Sequence, residues 1–173
     1  QGWSEQTERR IARAAGWLPS GEVGHALWGQ VRGPLLAFAP KLLAARPTQT
    51  AQPLHVDIQL AGVRVLGWLD GVTDCGLFEW RLIAPGAWDL PSFWLRHLLL
   101  NLSATDDIAR HSLLLSPNGD WQLGPLNNAA ELLEPWLVAY QQARFTALGF
   151  LPRSSMAFAK ALCASGHRQL GHE

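Results

Sequence analysis

The run LHVDIQLAGVRVLGWLDGVTDCGLFEWRLI, residues 54–83, decides the fold. Apolar residues alternate with polar ones along much of it, and Ala61-Gly62 and Thr73-Asp74-Cys75-Gly76 interrupt it. A period of two marks strands with one buried face, and short Gly-containing breaks mark hairpin turns. The stretch predicts three strands, 54–60, 63–72 and 77–83, in an antiparallel meander. With Leu60 opposite Val63 and Val72 opposite Leu77, one face carries Leu54, Val56, Ile58, Leu60, Val63, Val65, Gly67, Leu69, Phe78, Trp80 and Leu82. The other carries His55, Asp57, Gln59, Arg64, Leu66, Trp68, Asp70, Glu79 and Arg81, with Asp70 directly across from Glu79.

Helical signals lie on both sides of the meander. Residues 1–15 are polar and read as a helical lead-in, and the turn-rich stretch 16–24 gives way to a helix that starts near Ser20. Leu27, Trp28, Val31, Leu35, Phe38 and Leu42 recur at helical spacing up to the stop at Pro47, with a kink expected at Gly33-Pro34. Downstream, Pro85-Gly86 breaks the strand pattern, and Asp89 and Pro91 open an apolar helix to about residue 104. A second hairpin follows, 111–116 and 121–124, about Pro117-Asn118-Gly119-Asp120. Helices over 128–148 and after Pro152 complete the chain. The order predicts an α+β fold: a central mixed sheet containing the meander, flanked by helices, in one domain.

Composition narrows the functional classes. The chain has 173 residues, 48% of them hydrophobic, enough for one substantial core. It opens on Gln1 without the features of a signal peptide and reads as a piece of a larger protein. The longest apolar run, 93–102, is interrupted by Arg96 and His97, so a soluble protein without a membrane span is expected. Cys75 and Cys163 lack metal-ligand spacing, which fits a reducing cytoplasm and implies neither disulfides nor zinc. Net charge is zero, so any contact with DNA is local. Between Glu134 and Glu173 there is no acid, while Arg144, Arg153, Lys160 and Arg168 accumulate. These four are either a solvated face or phosphate contacts. Of the nine tryptophans, Trp68, Trp80, Trp94, Trp121 and Trp136 are assigned to packing.

The candidate chemistry sits on the polar face of the meander. Two carboxylates across from each other repel, and water, a cation such as Arg81, or a bound metal can offset the repulsion. Magnesium is commonly held by one or two carboxylates plus waters, and can activate water against a phosphodiester. The plainer reading is a solvated sheet face closed by an Arg81–Glu79 ion pair. Elsewhere the chain lacks a glycine-rich phosphate loop, and Ser154-Ser155 reads as a helix cap without a His and acid beside it. No nucleotide or small-molecule substrate is implied. His97, on an apolar helix, reads as a hydrogen-bonded interior residue rather than a ligand. His55 falls on the polar face near Trp68.

With Asp70 on the second strand and Glu79-Trp80-Arg81 on the third, the order of elements resembles the PD-(D/E)XK nucleases, whose motif is Asp followed by Asp/Glu-x-Lys across such a hairpin. Gly24-His25 at the start of the long helix looks like the segment that brings a His to the metal site in the RecB-like branch. The departure is Arg81 where active members have Lys. Arginine is always protonated and prefers a planar bidentate partner, so Arg81 is expected against Glu79 or Asp70, or stacked on Trp68.

Four short strings narrow the resemblance: residues 18–24 (LPSGEVG), 66–71 (LGWLDG), 94–98 (WLRHL) and 151–155 (LPRSS). In this order they resemble the C-terminal part of the RecC family, the gamma subunits of exodeoxyribonuclease V, over residues 16–160. That resemblance implies a restriction-endonuclease-like fold that has lost catalysis and works by binding. The implied partners are the beta and alpha subunits of exodeoxyribonuclease V, and DNA at the fork during double-strand break repair. His25, Asp70, Glu79 and Arg81 would then be a vestigial cluster without a cofactor. Under the other reading, His25, Asp70 and Glu79 hold Mg²⁺ in a weak deoxyribonuclease.

Overall fold

A computed structural model describes residues 3–169, with side chains through Ala164. The chain divides into two compact units, Gln1–Arg46 and Pro47–Glu173.

The first unit is a helical pair, α1 (Glu5–Ala14) and α2 (Gly21–Ala45). Ser4 caps α1 by accepting from the Thr7 amide, which satisfies one of the free donors of the first turn. Arg32 on α2 ties the helices together through Glu8 at 3.3 Å and Glu5 at 3.7 Å. The helix starts beside Ser20, as the turn residues indicate, and continues past Pro34 and Pro40 to its end before Pro47. Gly24 is buried under the turn before α2, where a Cβ would lie 2.0 Å from the Pro19 carbonyl oxygen.

The second unit is built on a five-stranded mixed sheet in the order β1 (Gln52–Leu60), β2 (Val63–Thr73), β3 (Gly76–Trp80), β4 (Ser112–Leu115), β5 (Trp121–Leu123). The expected antiparallel meander is β1 to β3. Helix α3 (Asp89–Ser103) carries the chain from β3 to β4, which pairs parallel to β3, and β5 closes the sheet antiparallel to β4. Parallel neighbours need such a crossover. Helix α4 (Ala129–Ala143) packs on α3, and α5 (Pro152–Gln169) ends the described chain. The α+β class and the mixed, helix-flanked sheet agree with the sequence. The third strand stops at Trp80 rather than 83: the Arg81 amide makes the last rung to the Leu115 carbonyl of β4, and the chain bends beyond it.

The core forms on one side of this sheet. Val56, Leu69, Val72, Leu77 and Leu114 pack with Phe93 and Leu100 of α3. A second cluster joins Leu98 to Ala129, Leu133 and Leu137 of α4, with Trp94 and Trp136 against it. Those two tryptophans pack as expected. Trp68, at 67% exposure, and Trp80 and Trp121, at 47% each, do not. Trp68 and, by alternation from Glu79, Trp80 lie on the sheet face turned away from the core, and Trp121 opens the edge strand β5. Among the described residues, no helix is long and apolar enough to cross a membrane.

A buried polar network fastens α3 to the sheet. His97 Nδ1 lies 2.8 Å from Ser112 Oγ on β4, Asn101 Nδ2 donates to the His97 carbonyl, and Asn101 Oδ1 accepts from the Leu126 amide. The expected interior role of His97 is thus realised. Burial holds its pKa below the ordinary imidazole value, against the pull of a Gly124 backbone hydrogen bond, and His111 adds a small repulsion.

Two predictions follow from this packing. Gly76 has φ +102°, and a Cβ there would lie 2.1 Å from the His111 carbonyl oxygen, whereas a Cβ at Gly67 meets nothing within 4 Å. Gly76→Ala is expected to cost at least about 2 kcal/mol and Gly67→Ala to be neutral or slightly stabilising, read by urea unfolding. Equal effects would contradict the backbone contact. For His97, the unfolded chain binds a proton near pH 6.5 that the folded chain resists. Stability is therefore expected to be full above pH 6.5 and to fall as pH drops from there towards the depressed folded value. In His97→Gln, thermal melts from pH 7.5 to 5 should lose this component of the slope.

Candidate functional site

The geometry of the predicted acidic pair is governed by one extra residue in β2. Leu54 pairs with Leu69 but Gln52 pairs with Val72, so two steps on β1 span three on β2. The surplus falls at Asp70-Gly71, and Gly71 adopts φ +78°, the left-handed conformation a glycine bulge uses. The bulge brings both Leu69 and Val72 to the core face. Val72 lies opposite Leu77, so Leu77 and, two residues on, Glu79 also face α3, while Asp70 remains with the exposed residues. The β2–β3 ladder covers only Thr73–Gly76 and Val72–Leu77. The expected placement of Asp70 directly across from Glu79 on one polar face is therefore replaced by acids divided between the two faces.

Glu79 meets a cation that the sequence reading did not assign to it. Arg96 of α3 sets Nη1 2.7 Å from Glu79 Oε1, with the Glu79 side chain 15% exposed. The approach lies off the hydrogen-bond axis, so the solvent-shielded Oε1 is balanced by charge. Nη2 of the same guanidinium donates to the Asp70 carbonyl oxygen. Arg96 thus joins the bulge of β2 to the acid of β3. Its signal in the sequence was an arginine inside an apolar helix, a position where a charge requires a partner.

Arg81 is placed differently from expectation. Its Nη2 lies 3.0 Å from Asp89 Oδ1 at the start of α3, and Asp89 Oδ2 accepts from the Gly86 amide. Arg81 lies just after the end of β3, where the chain turns toward α3, and this gives it Asp89 in place of Glu79, Asp70 or Trp68. Trp68 instead stands against His55, ring centroids 4.9 Å apart, and Asp57 is paired bidentately with Arg64 at 2.8 and 2.7 Å. That pairing lowers the Asp57 pKa and raises that of Arg64.

His25 lies exposed in the early part of α2, in the first unit. Among the described residues, no three His, Cys, Asp or Glu side chains gather as a metal-binding group. The residues do not suit a resident Mg²⁺: a guanidinium already stands against Glu79, and a divalent cation beside it would be repelled.

The acid-poor C-terminal stretch has a different character. Arg144, Arg153 and Lys160 are exposed, and the side chain of Arg168 lies outside the described residues. Arg144 sits 5.7 Å from the centroid of the Phe145 ring, which is 84% exposed. Phe150, Leu151 and Phe158 are exposed as well, so cations and aromatic surfaces alternate here.

Comparison with known proteins locates the chain. The family model of the RecC C-terminal domain matches residues 1–163. The RecBCD enzyme subunit RecC of Escherichia coli (strain K12) is 31% identical over 159 residues, which cover 91% of this chain and 14% of that protein. The chain thus spans about a seventh of the length of that curated relative.

The two arginines should differ in energetic weight. Arg96→Ala leaves a largely buried carboxylate without its cation and is expected to cost about 1–3 kcal/mol. Arg81→Ala, at a more exposed pair, should cost under about 1 kcal/mol. Urea unfolding of both variants checks the ranking, and the reverse order would refute the assignment of Arg96 as the partner of Glu79.

Proposed function

The chain belongs to the RecC C-terminal domain family, and from that premise we propose that it is a non-catalytic, nuclease-like domain of a RecBCD-type helicase and nuclease. Its work is to support subunit assembly and to guide DNA at the fork during double-strand break repair, in the cytoplasm. The observation that carries this reading is the Arg96–Glu79 contact. In a metal-dependent nuclease the carboxylates must be available to hold a divalent ion and its waters. Here Glu79 is engaged by a permanent cation, Asp70 is turned to the other face, and the motif lysine is replaced by Arg81, which is committed to Asp89.

Binding replaces chemistry in this account. The cations Arg144, Arg153 and Lys160 suit phosphates, and the exposed aromatic residues among them suit stacking of unpaired bases. The alpha and beta subunits of the enzyme are the proposed protein partners.

The test joins metal titration, cleavage and DNA binding. Calorimetric titration of Mn²⁺ at millimolar concentration should show no Asp70-dependent binding, and linear DNA should remain intact with Mg²⁺. Forked DNA should bind in a salt-sensitive way, and each of Arg144→Ala, Arg153→Ala and Lys160→Ala should lower the salt slope by about one if it contacts a phosphate. Metal-dependent cleavage that disappears in Asp70→Ala would instead establish the weak nuclease that uses His25, Asp70 and Glu79.

A further inference from the structure

Strand β1 forms one edge of the sheet and pairs with β2 alone. Its turn fixes which main-chain groups face outward. Ala61 and Gly62 have φ +49° and +72°, the two positive angles of a type I′ hairpin, so Leu60 and Val63 form the closing hydrogen-bonded pair. By alternation, Leu54, Val56 and Ile58 also direct their amides and carbonyls to β2, while His55, Asp57 and Gln59 direct theirs away from it. Among the described residues, the main chain of these three has no partner.

An open edge invites pairing, and proteins usually block it with proline, a bulge or lysine. Here the proline, Pro53, and the bulge are confined to the beginning of the strand, and residues 54–60 run in unbroken register without a lysine. Arg64 pairs with Asp57 at 2.7 Å, and both side chains stay exposed to solvent. Beside the edge, Leu54, Ile58 and Leu60 are half-buried on the core face, and Trp68 stands exposed against His55 on the other. Tryptophan is among the residues that dominate binding interfaces.

We propose that this edge receives an extended segment of a partner polypeptide, which adds a strand beside β1. The occupant follows from hydrogen-bond chemistry. An alternating row of N–H and C=O groups is complemented by another extended backbone, which supplies both donors and acceptors. Phosphates only accept, so a nucleic acid strand would satisfy the amides and leave the carbonyls facing its oxygens. A second copy pairing symmetrically about the middle of the strand would set Asp57 against Asp57, a like-charge pair. The identity of the donor as another subunit of a RecBCD-type enzyme rests on the function proposed above.

Amide exchange measured on the full chain, alone and with the other purified subunits of a RecBCD-type enzyme, tests the proposal. The His55, Asp57 and Gln59 amides should slow at least tenfold on assembly. Gln59→Pro removes an outward N–H while leaving the β1–β2 bonds, and should weaken assembly at least tenfold; Gln59→Ala should assemble like the parent chain. Unchanged exchange at these amides in an assembled complex would overturn the edge as the docking site and leave the subunit role standing. Gln59→Pro assembling normally, or protection produced by forked DNA alone or by self-association, would overturn it too. Absence of any association with the subunits would remove both readings. If circular dichroism shows Gln59→Pro unfolded, the exchange rates of the parent chain decide.

Discussion

The bulge at Gly71 is the constraint on which the second unit depends. A sheet with strict alternation would keep Asp70 and Glu79 on one face, as in a metal-binding hairpin, and would turn Leu77 outward. One surplus residue reverses the parity for everything that follows. Leu77 then enters the core beside Phe93 and Leu100, and β3 can pair with β4 so that Leu114 joins the same cluster. The cost of the arrangement is that Glu79 arrives on the apolar side. A buried carboxylate needs a cation, and α3 supplies one in Arg96, which also reaches the Asp70 carbonyl at the bulge itself.

Helix α3 answers three requirements with consecutive parts of its length. Its first turn brings Asp89 to Arg81, its middle brings Arg96 to Glu79, and His97 and Asn101 fasten β4 and the segment before α4. Its apolar residues fill the space between sheet and α4. Polar groups inside an apolar layer are stable only when partnered, and these have partners in fixed places, so they set the helix's position along the sheet as well as its depth.

The sequence carried the fold further than it carried the site. Alternation over 54–72 and the two-residue break at Ala61-Gly62 were enough to locate β1 and β2, because both faces differ strongly in polarity. The hairpin about Gly119 and the helix after Asp89 were legible from turn and cap residues. What escaped was a single residue of register. A Gly after Asp70 fits a straight strand and a bulge equally well, and alternation alone favours the straight one. The error then propagated to Glu79, Trp80 and Arg81, all of which lie beyond it. Trp68 differs for another reason: composition says that tryptophans are usually covered, but it does not say by what, and this one lies on the face that the unit's own helices leave open.

Loss of nuclease chemistry, in this structure, would be a matter of register and salt-bridge choice rather than of missing acids. Asp70 and Glu79 both persist in the sequence, so counting acids gives the impression of an intact site. Their chemistry depends on sharing a face and on a lysine-like donor beside them. Moving one to solvent and closing the other with a guanidinium separates them without deleting either. Restoring a metal site would accordingly require more than Arg81→Lys: Arg96 would have to leave Glu79, and the surplus residue at Gly71 would have to be removed. Removing the surplus residue would also turn Leu77 out of the core it builds with Phe93, which ties the placement of the two acids to the stability of the sheet.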